Sequence, residues 1–165
     1  MLRKLMTKDA KFMLEWMHDS NVAEVFDKDF SSFTIEDVIN FISQNRKEGK
    51  NYHFAIVDKN DEYLGTISLK NISEDNNAEY AIVLRSKAHG QGIAKEASKE
   101  LLKIGFEQMK LEKIYLNVLA TNPRAIRFYE KMGFKKEGIA RKHKKHNQQY
   151  VDLLWFGMLK EEYKA

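Results

Sequence analysis

One segment limits the possible folds more than any other. From Glu79 to Val118 the chain reads as a strand (Glu79–Leu84), a glycine-bearing loop, a long helix (Gly92–Met109) and a second strand (Lys113–Val118). Ile93, Ala97, Leu101, Ile104 and Gln108 follow the 3.6-residue period, with Lys95, Glu96, Lys99, Lys103 and Glu107 largely opposite. Strand, helix and strand in that order make a βαβ unit, whose two strands run parallel with a right-handed connection. The chain therefore needs a sheet with a parallel pair at its heart.

The remaining signals build a mixed sheet around that unit. Leu2–Met6 reads as a short strand, and Thr7 can cap a helix running to about His18. Thr34 and Asp37 have the spacing of a capping box, with Phe33 placed to staple onto Val38. Strands Tyr52–Val57 and Tyr63–Leu69 flank the turn-rich Asp58–Asp61, and the polar turn Ser73–Asn77 leads into the strand at Glu79. Asn122 and Pro123 suit the cap and first position of another helix, which Gly133 ends. Two strands, Phe134–Lys142 and Gln149–Leu159, close the chain. The expected fold class is α/β: one domain over residues 1–165, with a mixed twisted sheet of about six or seven strands and about four helices. The 165 residues allow one real core and are too few to expect two.

Composition removes several classes. With no Cys, disulfides, thiolate zinc sites and a cysteine nucleophile are excluded; no metal is expected. The net charge of +4 suits an acidic ligand such as a nucleotide or coenzyme, although such a balance is also that of an ordinary solvated surface. Nucleic acid is not expected as a partner, because no arginine-rich arm, zinc-finger spacing or aromatic–basic strand motif is present. Charges break the first ten residues before an apolar signal region could form, and the longest apolar run, Val151–Leu159 interrupted by Asp152, is too short to span a bilayer. A cytoplasmic protein that does not use a membrane is the expectation.

Two stretches carry chemistry. In His89-Gly90-Gln91-Gly92-Ile93-Ala94, glycines before a helix let backbone amides approach an anion, and the helix dipole favours negative charge. A tight turn needing no ligand reads equally well. The loop lacks the Gly-Lys-Ser/Thr of a P-loop, and Lys95 stands where a dinucleotide fingerprint needs a small residue. The second stretch is Asn122-Pro-Arg-Ala-Ile-Arg-Phe-Tyr-Glu-Lys-Met-Gly-Phe134. Asn122 and Tyr129 are two helical turns apart and share a face, so the phenol could hydrogen-bond or protonate something lying along that helix. Taken singly, Asn122 is a good cap and Tyr129 an ordinary core residue.

Together, these stretches resemble the GNAT superfamily of acyl-CoA-dependent N-acyltransferases. The family loop, Gln/Arg-x-x-Gly-x-Gly/Ala, is matched by His89–Ala94 at every position except the first. The later signature, an Asn, an Ala three residues on and Tyr-Glu-Lys-x-Gly-Phe, is matched by Asn122, Ala125 and Tyr129–Phe134. The resemblance implies a GNAT-like fold and acetyl-CoA as co-substrate. It implies pyrophosphate binding by amides around Gln91–Lys95, with Gly90, Gly92, Ile93 and Ala94 forming the loop. Ile82, Val83 and Leu84 would line the strand that pairs with the pantetheine arm, one amide there polarising the thioester carbonyl. Asn122 would bind cofactor backbone, and Tyr129 would sit near the sulfur as the general acid. His89 departs from the family's Arg or Gln, and either phosphate contact or a packing role fits it.

The implied reaction is acetyl transfer to a primary amine, of a protein N-terminus or a small molecule, directly within a ternary complex. Glu79, where related ribosomal-protein acetyltransferases carry an acid, is the first candidate base, acting through a water; Asp152 is the second. The stretch from Glu137 to Asp152 is similar to the closing hairpin of two branches, one acetylating protein N-termini and the other nucleotide-linked amino sugars. Readings outside that pair are a non-catalytic acyl-CoA-binding module and a nucleic-acid binder acting through its basic surface. The oligomeric state is left open between monomer and homodimer.

Overall fold

Caps and turns set the element boundaries. The computed structural model describes residues 1–26, 28–44 and 49–165. The Thr34–Asp37 box forms as spaced: the Thr34 amide donates to Asp37 at 2.8 Å and the Asp37 amide to the Thr34 hydroxyl at 3.3 Å. It opens helix α3, Ile35–Gln44. The first helix starts differently. Thr7–Asp9 is a 3-10 turn ahead of α1, Ala10–Met17, and the carboxylate of Asp9, not Thr7, accepts the Met6 amide at 2.8 Å. A one-turn helix absent from the sequence reading, α2 (Ser20–Ala23), is capped by Asp19. Helices α4 (Ile93–Lys103) and α5 (Pro123–Met132) complete five among the described residues. None of these helices is long and apolar enough to cross a membrane.

Seven strands form one mixed sheet: β1 Leu2–Lys4, β2 Tyr52–Val57, β3 Tyr63–Lys70, β4 Asn77–Leu84, β5 Lys113–Leu119, β6 Lys135–His146 and β7 Gln149–Leu159. Their order is β1-β2-β3-β4-β5-β7-β6, with β4 and β5 the parallel pair. Strand β6 runs past the expected Lys142 to His146, so the basic run from Arg141 belongs to a paired strand and not to a loop. Asn147 and Gln148 both take positive φ, 50° and 62°, as a two-residue type I′ hairpin requires.

The long helix departs from its expected face. After Lys103 it widens into a π turn over Ile104–Gln108, the Met109 amide donating to the Ile104 carbonyl at 2.9 Å. The extra residue rotates the later side chains, so Phe106 is buried and Gln108 exposed. Gly105 lies against β5 there; a Cβ would come within 2.7 Å of the Ile114 side chain.

Two apolar clusters cover opposite faces of the sheet. Ile67, Leu69, Leu101, Phe106, Ile114 and Phe156 centre the one under α4 and α5. Met13, Trp16, Val38, Ile42 and Tyr63 centre the other, under α1–α3. Where β4 meets β5 the sheet comes apart. Only Asn77–Lys113, Ala78–Ile114 and Glu79–Tyr115 pair. Beyond them β4 pairs only with β3, and β5 only with β7.

Candidate active site

The unpaired stretch leaves a gap in the middle of the sheet. The Arg85 amide donates to the Leu64 carbonyl at 2.9 Å, continuing the β3–β4 ladder. Alternation along that ladder turns the main chain of Ala81 and Val83 toward β3 and that of Tyr80, Ile82 and Leu84 toward the gap. Ile82 through its amide and carbonyl, and Leu84 through its amide, thus offer hydrogen-bonding groups to an extended guest. Val83 faces the α1–α3 cluster with its side chain.

At the head of the gap stands the glycine loop. Gly90 and Gly92 both adopt φ 74°, the left-handed region, and a Cβ on either would meet no atom within 4 Å. Backbone conformation, not crowding, selects glycine at both positions. Gly92 is the cap of α4 and provides no side-chain hydrogen bond to it, so the first-turn amides of Ile93, Ala94 and Lys95 are left for an external acceptor. Ser98 donates to the Ala94 carbonyl at 2.6 Å and receives the Tyr80 hydroxyl at 2.7 Å, tying this turn to β4. His89 has a partner of its own: its Nε2 lies 3.1 Å from the Leu84 carbonyl oxygen, and Gln91 Nε2 donates to the Lys87 carbonyl at 2.7 Å. The structure thus gives His89 a bond that fixes the loop.

Tyr129 packs on the α4–α5 face of the sheet, edge-on at 5.7 Å to Tyr80, the first β4 residue past the last parallel pair, and at 6.1 Å to Phe134. Its hydroxyl bonds to no described residue, yet it is not a sealed orphan, because among the described residues no buried side-chain polar atom lacks a partner. Burial of the residue pushes the phenol up to about 12, so it holds its proton at neutral pH. Asn122 caps α5 by accepting the Ala125 amide at 3.2 Å, and Gly133 ends the helix at φ 99°. The capping oxygen is used; the side-chain amide nitrogen has no partner among the described residues.

Glu79 belongs to the last parallel pair and points to the face opposite Tyr80 and Tyr129. Its carboxylate accepts from Asn71 at 2.8 Å and from Asn117 at 3.4 Å, and lies 3.5 Å from Lys70. With its side chain 18% exposed it is neither free on the surface nor sealed. Burial, and then the nearby Glu79 charge, raise the pKa of Tyr115. Asn117 and Tyr115 were not singled out in the sequence; both lie on the same face of β5, two residues apart, and only the register with Glu79 reveals them. Asp152 accepts the Lys142 amide at 2.8 Å, where β6 bulges, the role of a satisfied polar group in the sheet. On the Glu79 face, a groove of about 600 Å³ opens between α2 and the β6–β7 turn, lined by His18, Glu24, Phe30, Lys145 and His146 among others.

These residues fit a long ligand with an anionic head: amides at a helix start for phosphate, then a narrow strand-lined slot. Known proteins agree. Residues 1–135 match the acetyltransferase (GNAT) domain family. The chain is 30% identical over 168 residues to the uncharacterised N-acetyltransferase p20 of Bacillus licheniformis, covering 98% of this chain and 93% of that one. It is 27% identical to the spermidine N(1)-acetyltransferase of Vibrio cholerae, covering 98% and 94%. The fold superposes with a TM-score of 0.92 on a crystal structure of spermidine N-acetyltransferase from Vibrio cholerae in complex with CoA and spermine, at 24% identity and 99% and 96% coverage. The loop, the slot and these likenesses converge: the chain belongs to the GNAT family and is an acetyl-CoA-dependent N-acetyltransferase.

Proposed function

We propose that this enzyme passes the acetyl group directly to the primary amine of a small molecule, within a ternary complex. One observation carries the reading: Glu79, in the last parallel pair, and Tyr129, packed against the neighbouring Tyr80, lie on opposite faces of the sheet where β4 and β5 part. Acetyl-CoA, as substrate, brings an acetyl group activated as a thioester. Amides of Gln91–Lys95 hold its pyrophosphate, main-chain groups of Ile82 and Leu84 hold its arm, and one of those amides serves the developing oxyanion. Asn122 contacts the cofactor with its uncommitted nitrogen. The incoming ammonium must lose a proton before it attacks, and Glu79 takes it through a water. Tyr129, still protonated at neutral pH, donates to the departing thiolate. No cysteine is present to carry an acyl-enzyme.

Relatives named for spermidine support a small amine over a protein N-terminus. Lys145 and His146 at the groove favour a second acceptor, an amino sugar linked to a nucleotide, whose phosphates they would attract. The test is an acceptor panel of alkyl amines, spermidine, amino acids, nucleotide-linked amino sugars and N-terminal peptides, read by release of free thiol. Turnover with small amines and intersecting double-reciprocal lines are expected. Turnover confined to peptides, or parallel lines, would overturn the proposal, and a preference for nucleotide sugars would select the second acceptor.

A further inference from the structure

The stem of the phosphate loop is held by carboxylates from the far end of the chain. Arg85 follows β4 directly, and its guanidinium side chain is only 7% exposed. It donates to both oxygens of Glu15 in α1, through Nε to Oε2 and through Nη2 to Oε1 at 3.0 Å. Nη1 donates to Glu62 at 2.8 Å and to the Tyr63 carbonyl at 2.9 Å, and the guanidinium lies over the Phe12 ring at 4.4 Å. The next residue, Ser86, donates to Asp19 at 2.6 Å, and Lys87 pairs with Glu62. Asp19 is also the cap of α2, accepting the Asn21 amide at 3.0 Å.

A buried guanidinium is a costly way to fill space, since well-packed apolar residues often do as well or better. What the fork adds is geometry: a bidentate pair fixes two elements in one relative position. The elements fixed here are the phosphate-loop stem and the α1–α2 segment, whose Met17, His18, Ser20, Ala23 and Glu24 wall the groove. We propose that Arg85 and Ser86 form a positioning latch that couples the groove wall to the phosphate loop, so that coenzyme A and acceptor each favour the other's binding. This rests on the loop and groove assignments made above. Reciprocity follows from linkage: the factor by which coenzyme A raises acceptor affinity is the factor by which the acceptor raises coenzyme A affinity.

Hydrogen exchange on the full chain, with coenzyme A as the only ligand, tests it without an acceptor. In the unaltered protein, coenzyme A should slow exchange at residues 89–95 and also at 15–24, the latter by about fivefold or more, the low end of usual coupling. Ser86→Ala, at an exposed position, and Arg85→Lys, which keeps the charge but loses the fork, should retain protection at 89–95 and lose most of it at 15–24. A second readout is the acceptor KM, which saturating acetyl-CoA should lower in the unaltered protein and not in the variants. Protection at 89–95 alone in the unaltered protein would overturn the latch and leave the proposed function standing. Protection nowhere would overturn both. Should Arg85→Lys fail to fold, Ser86→Ala decides, and full protection at 15–24 in that variant would overturn the latch.

Discussion

The α4–α5 side and the α1–α3 side of this sheet are fixed by different means. Around β4, α4 and α5 the geometry is set chiefly by main-chain conformation: two left-handed glycines, a helix start without a side-chain cap, Pro123 at the start of α5 and the edge of β4 that β5 leaves unpaired beyond Glu79. Around α1–α3 it is set by side-chain carboxylates. Asp9 takes both terminal Nη nitrogens of Arg3, at 2.8 and 2.9 Å, while Glu15 and Asp19 hold Arg85 and Ser86. A binding slot built from backbone needs few residue identities and suits a ligand that never changes. A wall built from side-chain pairs can be altered one residue at a time, which suits the proposed acceptor groove, since relatives are named for acceptors as different as spermidine and L-amino acids.

If main-chain groups do the holding at the proposed cofactor site, the task proposed for the Tyr129 hydroxyl should be separable from binding. Tyr129→Phe keeps the ring against Tyr80 and Phe134 and removes only the hydroxyl. We expect kcat to fall by roughly 10²- to 10⁴-fold, the usual contribution of a general acid, with little change in acetyl-CoA affinity. Steady-state kinetics with calorimetric binding measures both. Loss confined to affinity would make Tyr129 a binding residue, and full activity would leave it a core residue with water as the acid.

The converse change breaks binding at the backbone itself. Coenzyme A at about 100 times its dissociation constant should stabilise the protein by about 2.7 kcal/mol. Gly92→Glu should abolish that gain, because it forces a side chain into the left-handed region and sets a carboxylate at the phosphate site. The Cβ meets no neighbour within 4 Å, so the fold should survive and far-ultraviolet circular dichroism should change little. A thermal shift with coenzyme A equal to that of the unaltered protein would remove the loop from the cofactor site.

The same contrast explains what could be read from the sequence. His89–Ala94 and Asn122–Phe134 each fit within a short window, and the parallel pair, the α5 cap and the glycine positions followed from local rules. Arg85 and Glu15 are 70 residues apart, Ser86 and Asp19 are 67 apart, and no local pattern joins them. The π turn escaped for another reason. Periodicity assumes a constant 3.6, and the close approach of Gly105 to Ile114 is a tertiary demand that a one-residue insertion meets. The long β6 was hidden by its own charges: Arg141–His146 looks like a solvated loop until β7 supplies a partner.

The smallest expected effect concerns the α1–α3 side, where side-chain chemistry should make stability depend on pH. His53 on β2 places Nδ1 2.6 Å from the Ser68 hydroxyl and its ring 5.0 Å from that of Phe41. Burial, aided by the positive charge of Lys70, lowers its pKa to about 4 from the ordinary 6.5. The folded state therefore keeps His53 neutral where the unfolded chain binds a proton. Its contribution is complete above pH 6.5 and is lost progressively as the pH falls toward 4. The shift corresponds to about 3 kcal/mol at most, and partial exposure reduces that to on the order of 1–2 kcal/mol. His53→Gln retains a partner for Ser68 and cannot titrate in this range. Urea unfolding from pH 7.5 to 4.5 should show the unaltered protein losing about 1–2 kcal/mol more than this variant, since the other titrating groups are common to both. Parallel profiles would mean that His53 charges freely in the fold, and that the α1–α3 side tolerates a second cation beside Lys70.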